Sequence, residues 1–157
     1  MKKIFIVLFL SATFIGANAQ GLEVRARGGV NIQNSNISDK NVSVLPHFGV
    51  SAGLRISSIG IYGEMLYSVH ENINGSGEAD YLIPSASIRF YTHRFVYAEA
   101  GIAYLMLTKD PGGVIQNVDK KAGYFVGLGL TLRRFELGVR AANQPVTNVQ
   151  LTASYRF

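Results

Sequence analysis

The chain has no cysteine and no tryptophan among its 157 residues, and only four prolines. Without cysteine there are no disulfides, no thiolate metal ligands and no thiol nucleophile, so an exported chain of this kind is stable without cross-links. Charged residues are also scarce, at 16%. After residue 19 no apolar run approaches the roughly 18 residues that a membrane-spanning helix needs. Together these absences leave two classes for the remainder: a soluble domain, or a barrel that crosses a membrane with strands.

The first residues supply the one long apolar run. Met1-Lys2-Lys3 precedes an apolar stretch over residues 4–10, and Ala17-Asn18-Ala19 gives a small-x-small site before Gln20. This reads as a secretory signal peptide over residues 1–19, leaving one domain over residues 20–157. Without Lys2 and Lys3 there are 13 basic residues against 10 acids, so the formal charge falls from +5 to +3. The basic residues are scattered and the chain is exported, which excludes nucleic acid as a partner.

Residues 149–157 set the pattern for the rest. Val149, Leu151, Ala153, Tyr155 and Phe157 are apolar, whereas Gln150, Thr152, Ser154 and Arg156 are polar. Strict period-two alternation means a strand with two unlike faces. Exposed rings at Tyr155 and Phe157 are a liability on a soluble sheet edge but natural at a lipid–water interface. Seven further alternating segments follow the same rule, at residues 22–32, 46–56, 61–69, 81–91, 95–107, 123–133 and 135–142. Pro46 is expected to open its strand, and Pro84 to mark a bulge.

The connections alternate in length. Short turns are expected at residues 57–60, 92–94 and 133–134. Longer polar loops are expected at residues 33–44, 70–80 and 108–121, with a shorter one at residues 143–148. Such alternation is the habit of transmembrane barrels, with short periplasmic turns and longer outer loops. The fold expected is all-β: an eight-stranded, antiparallel, up-and-down transmembrane barrel.

Periodicity alone does not say which face points inward; a soluble lipocalin-like periplasmic binder would bury the apolar one. The mixed face holds Gly29, Gly49, Gly53, Gly101, Gly127, Gly129 and Gly138, and small residues suit a narrow lumen crowded by long side chains. The same face carries Glu23, Glu64, Glu99 and Glu136 near the starts of odd-numbered segments. Arg55, Arg89, Arg133 and Arg156 lie near the ends of even-numbered ones. Antiparallel pairing gathers these at the short-turn end as a belt of ion pairs, with Arg25, Arg27 and Arg140 one layer above. Burial makes pairing nearly obligatory, and the planar guanidinium can serve two carboxylates. The apolar face would then meet lipid, with interfacial rings including Phe48, Tyr67, Tyr104, Tyr124, Tyr155 and Phe157.

The leader, the eight-segment layout, Tyr81-Leu82-Ile83-Pro84-Ser85 and the Tyr155-Arg156-Phe157 end together resemble small outer-membrane β-barrels of the OmpA/OmpX-like superfamily, PorT-like barrels in particular. The resemblance covers residues 20–157. It implies residence in the outer membrane, contact with outer-membrane lipid and lipopolysaccharide, and delivery by the barrel-assembly machinery, with Tyr155 and Phe157 as the assembly signal. It specifies address and architecture, not activity.

Three histidines bear on catalysis. His70 has Glu71, Ser76, Glu78 and Asp80 near it in sequence; His93 adjoins Arg94 in a turn; His47 has Ser43 and Ser51 on its segment. No His-x-Ser pair of the lipid A deacylase kind occurs, and no ordered Ser–His–carboxylate set is evident. Asp39, Asp80, Asp110 and Asp119 lack regular ligand spacing, so no metal is expected. Pro111-Gly112-Gly113 is turn chemistry rather than a phosphate cradle, since no Lys-Ser/Thr helix start follows. Lys109, Lys120 and Lys121 could touch anionic lipopolysaccharide head groups. The expectation is a monomer without enzymatic activity, cofactor or metal, with a lumen plugged by its belt. Its role is structural or in surface contact, through an extracellular partner met by the loops. A narrow channel and a lipid-modifying enzyme are the competing classes.

Overall fold

The computed structural model describes residues 21–34, 42–71, 78–93, 95–109, 121–143 and 147–157. Eight strands occupy them: β1 (Leu22–Asn34), β2 (Val42–Ile56), β3 (Ile59–Glu71), β4 (Glu78–His93), β5 (Val96–Lys109), β6 (Lys121–Leu132), β7 (Phe135–Asn143) and β8 (Thr147–Arg156). Each pairs antiparallel with its neighbour in sequence, and β8 returns to pair with β1, which closes the barrel. Closure leaves no sheet edge, the condition for strands to lie in hydrocarbon.

The stagger of the closed sheet can be read from its register. Glu23 faces Gly53, Gly53 faces Tyr62, Tyr62 faces Ser87, Ser87 faces Gly101, and Gly101 faces Phe125. Phe125 faces Ala142, Ala142 faces Asn148, and Asn148 faces Gln33, ten residues beyond the start. A stagger of this size over eight strands means a strand tilt of roughly 40° and an interior just wide enough for side chains to fill.

The apolar set faces outward. Val50, Ile61, Ile102, Tyr124, Val126, Leu128 and Phe135 are all more than half exposed, while Arg25, Arg89, Glu99, Glu136 and Arg140 are buried. That is the reverse of a soluble barrel, and the lipocalin-like alternative is thereby excluded. The expected interfacial rings lie on the outer wall or its margins. Phe48 meets Tyr67 with ring centroids 4.9 Å apart toward the long-loop end, and Tyr155 stacks edge-on between Phe135 and Phe157 at the short-turn end.

Several strand limits differ from the sequence reading. Pro46 does not open β2, which begins at Val42; β2 pairs with β1 on both sides of Pro46, but its pairing to β3 starts only at His47. A residue without an N–H is tolerated where one ladder ends. Pro84 is no bulge: it faces Met65, and the register to β5 is unchanged from Leu82 to Ser85. The irregularities of that pair lie at Asp80/Tyr81 and Tyr91/His93. β6 stops at Leu132, so Arg133 belongs to a turn rather than a strand. Ser57 and Arg133 open two-residue turns with φ near 56° and 57°. For residues with a Cβ this left-handed backbone costs about 1–2 kcal/mol each.

Val126 lies at the middle of β6 on the lipid side. Val126→Arg should lower unfolding free energy in vesicles by about 2–4 kcal/mol, read from denaturant midpoints, whereas Val126→Leu should change it little.

Candidate functional site

Nine residues on six strands form one ion-paired chain inside the barrel. It begins at Arg156 on β8, whose Nη1 donates to Glu23 Oε1 at 2.8 Å. Glu23 Oε2 accepts from Arg25 Nη2 and, at 2.6 Å, from Tyr62 Oη. Arg25 Nε donates to Glu136 Oε1 at 3.1 Å, and Arg89 Nη1 donates to Glu136 Oε2 at 2.8 Å. Arg89 Nε then reaches Glu99 Oε2 at 2.9 Å, and Glu99 Oε1 accepts from Arg140 Nε. Arg140 Nη2 donates to Glu64 Oε2 at 2.8 Å, and Arg27 Nη1 closes the sequence on both Glu64 oxygens at 2.8 Å.

Every carboxylate in this chain serves two arginines. Four arginines and four glutamates are almost wholly buried, so the sealed part is neutral; the ninth member, Arg156, keeps a side chain 24% exposed at the rim. Burial of a lone ion costs several kcal/mol, and pairing with well-placed hydrogen bonds offsets that cost. One contact makes the logic visible. Arg25 and Arg156 are direct cross-strand partners, an arrangement of like charges that destabilises a sheet, and Glu23 bridges them.

Aromatic rings fill the space between the charges. The Arg25 guanidinium lies 4.1 Å from the Tyr62 ring centroid, Arg89 lies 4.5 Å from that of Tyr97, and Arg140 lies 4.4 Å from that of Phe125. Tyr62 and Tyr91 hydroxyls lie 2.9 Å apart, and Arg25 also donates to Tyr91. Sequence reasoning did not single these rings out. Their signal was phase: Tyr62, Tyr91 and Tyr97 stand two residues from Glu64, Arg89 and Glu99, on the same strand face.

Two expected members stand elsewhere. Arg55 is half-buried and stacks 3.7 Å over the Tyr91 ring, its Nε donating to the Ser57 carbonyl. Arg133 is exposed in the β6–β7 turn, where its carbonyl accepts from Arg156 Nη2 at 2.6 Å. Both lie too close to a turn to point up the lumen. The belt is also no flat ring. Because the strands are staggered, Arg27, Glu64, Glu99 and Arg140 carry the chain away from the short turns. The three arginines assigned to an upper layer (Arg25, Arg27 and Arg140) are integral members.

Beyond this chain, toward the long loops, the described core residues of the lumen are apolar. Leu66, Tyr81, Ile83, Ala103, Leu105, Phe125 and Ala142 pack together there. His47, Asn31 and Gln150 are buried at neighbouring positions. His47 lies against Gly29, and neither ring nitrogen has a hydrogen-bond partner, so it forms no triad with Ser51 on its strand. The side chains of His70, His93, Lys109 and Lys121 lie outside the described residues, as do residues 1–20, Asp39, Asp110, Asp119, Lys120 and Pro111-Gly112-Gly113. Among the described residues no group of three or more His, Asp or Glu is placed to hold a metal ion.

The model of the outer membrane protein β-barrel domain matches residues 5–157, and the chain belongs to that family. Among solved structures it is similar to Neisserial surface protein A, at 18% identity and a TM-score of 0.57, covering 88% of this chain and 97% of that one. It is also similar to the Yersinia pestis outer membrane protein Ail, at 15% identity and a TM-score of 0.50, covering 88% and 100%. A de novo designed transmembrane β-barrel matches at 12% identity and a TM-score of 0.53, covering 89% and 98%. No curated protein matches. The family match and the fold together establish a small eight-stranded outer-membrane β-barrel.

Glu99 is the test of the chain, since it holds Arg89 and Arg140 together. Glu99→Gln should cost about 3–5 kcal/mol of unfolding free energy by leaving guanidinium charge uncompensated. Replacing both Glu99 and Arg140 by Gln should cost less than the two single changes combined.

Proposed function

We propose that this protein is a monomeric outer-membrane barrel whose lumen is closed by its ion-paired chain, with a structural role in the envelope and surface contact through its long loops. The observation that carries the reading is the unbroken sequence of eight ion pairs from Arg156 to Arg27 among the described residues. Paired side chains and stacked rings occupy the space an ion would need, and an eight-stranded wall leaves little to spare. The role is therefore non-catalytic and non-conducting. Outer-membrane lipid and lipopolysaccharide are its surroundings, and the loops are where an extracellular partner would be met.

Tyr155 and Phe157 serve as the assembly signal in this reading. What supports it is their place on the closing strand, with Phe157 74% exposed and its backbone N–H bonded to the Val24 carbonyl across the seam.

A narrow channel is the second reading. Buried Ser51, Ser87 and Thr131 hydroxyls, together with Arg25 Nη1 and Arg27 Nη2, have no hydrogen-bond partner, so the lumen retains polar atoms that water could solvate. Planar bilayer recording separates the two. The wild-type barrel should show no steady conductance, and replacing Glu64 and Glu99 together by Gln should produce openings. A sustained ohmic current through the unaltered protein would refute the closed lumen and establish the channel.

A further inference from the structure

The short-turn rim separates charge by sign. The described acids nearest that end, Glu23 and Glu136, both point into the lumen and are buried. Arg133 and Arg134 stand exposed in the β6–β7 turn, with Arg156 and Arg55 following along the rim on β8 and β2. Neither Arg133 nor Arg134 forms an ion pair with a described acid. Arg134 Nη1 donates at 3.3 Å to the hydroxyl of Tyr155, whose ring packs on Phe135 and Phe157. Exposed arginines beside outward-facing aromatic rings define a level where a charged head group and hydrocarbon meet.

An apolar groove of about 690 Å³ occupies the outer wall from β6 across β7 and β8 to β1. Its depth follows from residue size: Ala153 faces Gly28 across the seam, between the larger Leu128, Leu137, Val139 and Leu151. The groove begins close to the basic turn. Leu130, one of its lining residues, faces Leu137 and lies three residues from Arg133, a span of about 10 Å along an extended strand.

We propose that this wall binds an anionic phospholipid of the leaflet that faces the short turns. Its phosphate lies on Arg133 and Arg134, and an acyl chain lies in the groove at Gly28 and Ala153. A guanidinium bonds phosphate oxygens in pairs, and the groove offers hydrocarbon a concave apolar seat close to the basic turn. The site rests on the membrane placement of the proposed function, and it adds a particular lipid class at a particular position.

The test is lipid retention. The protein would be folded into mixed phosphatidylcholine–phosphatidylglycerol vesicles, extracted gently, and its bound lipid read by native mass spectrometry. Phosphatidylglycerol should be retained in preference. Arg133→Asn with Arg134→Gln should reduce that preference by about tenfold; asparagine suits the left-handed backbone at position 133. Gly28→Leu with Ala153→Leu should reduce retention as well, although no charge changes. A Cβ at position 28 meets nothing closer than 3.9 Å, so this pair fills the groove without straining the sheet. Equal retention of both lipids, or full retention after the groove is filled, would overturn the proposal. Displacement by inorganic phosphate alone would reduce the site to a patch for free anions. Heat-shifted gel mobility reports insertion independently, so a barrel that never enters the vesicles overturns the placement and the site with it.

Discussion

Burial of charge inside a wall that hydrocarbon surrounds is the constraint on which this structure depends. Water cannot reach the eight fully enclosed charges from the lipid side, so each must find its counter-charge among its neighbours. Arg25, Arg27, Arg89 and Arg140 do so by each touching at least one of four glutamates, and every glutamate touches two arginines. Five of the eight pairs connect strands that are not adjacent. Arg25 on β1 reaches Glu136 on β7, and Arg140 on β7 reaches Glu64 on β3. Backbone hydrogen bonds hold each strand to its two neighbours, whereas the ion pairs tie opposite walls together.

Long side chains crossing the lumen need space, and two strands yield it. β2 and β6 contribute no member to the ion-paired chain. Their inward positions include Gly49, Gly53, Gly127 and Gly129 instead. A Cβ at Gly127 would lie 2.9 Å from Arg140 Cγ and 3.1 Å from Glu99 Oε1, and one at Gly53 or Gly129 would enter the ring of Tyr62 or Tyr97. The glycines of the mixed face are thus the complement of the charges and rings: small residues on one strand receive the long side chains of their direct partners on the neighbouring strands. The stagger of ten residues makes this fit spiral rather than planar, so the chain climbs from the rim at Arg156 to mid-lumen at Arg27.

Most of this was legible in the sequence because one period governs it. Alternation at two residues assigned each strand and its two faces, and the glycines and matched charges of the mixed face then placed Glu23, Arg25, Arg27, Glu64, Arg89, Glu99, Glu136 and Arg140 inside. Register was not legible, since it depends on where each turn closes. Arg133 looked like the last inward residue of a strand, yet the strand ends one residue earlier and Arg133 takes a left-handed turn conformation. Arg55 kept its strand but stacked on Tyr91, while Glu23 serves Arg25, Arg156 and Tyr62, and Glu136 serves Arg25 and Arg89. Partner choice among long side chains is a property of the closed barrel, not of any one segment.

The division of basic residues by type follows from the same geometry. Lysines stand at positions 2, 3, 40, 109, 120 and 121, while residues 22–107 and 122–157 hold only arginine as their basic residue, apart from Lys40. A lysine ammonium is a strongly hydrated point charge, well suited to a loop and poorly suited to a dry lumen. The guanidinium presents donors in one plane along two edges, so Arg89 can hold Glu99 through Nε and Glu136 through Nη1 at once. A lysine at position 89 would place its charge on a single point and could not span both carboxylates in the same geometry. The same planar fork suits a phosphate at the short-turn rim, where Arg133 and Arg134 face outward. One residue type therefore closes the interior by pairing two carboxylates and, on the outer wall, provides the geometry that a phospholipid head group requires.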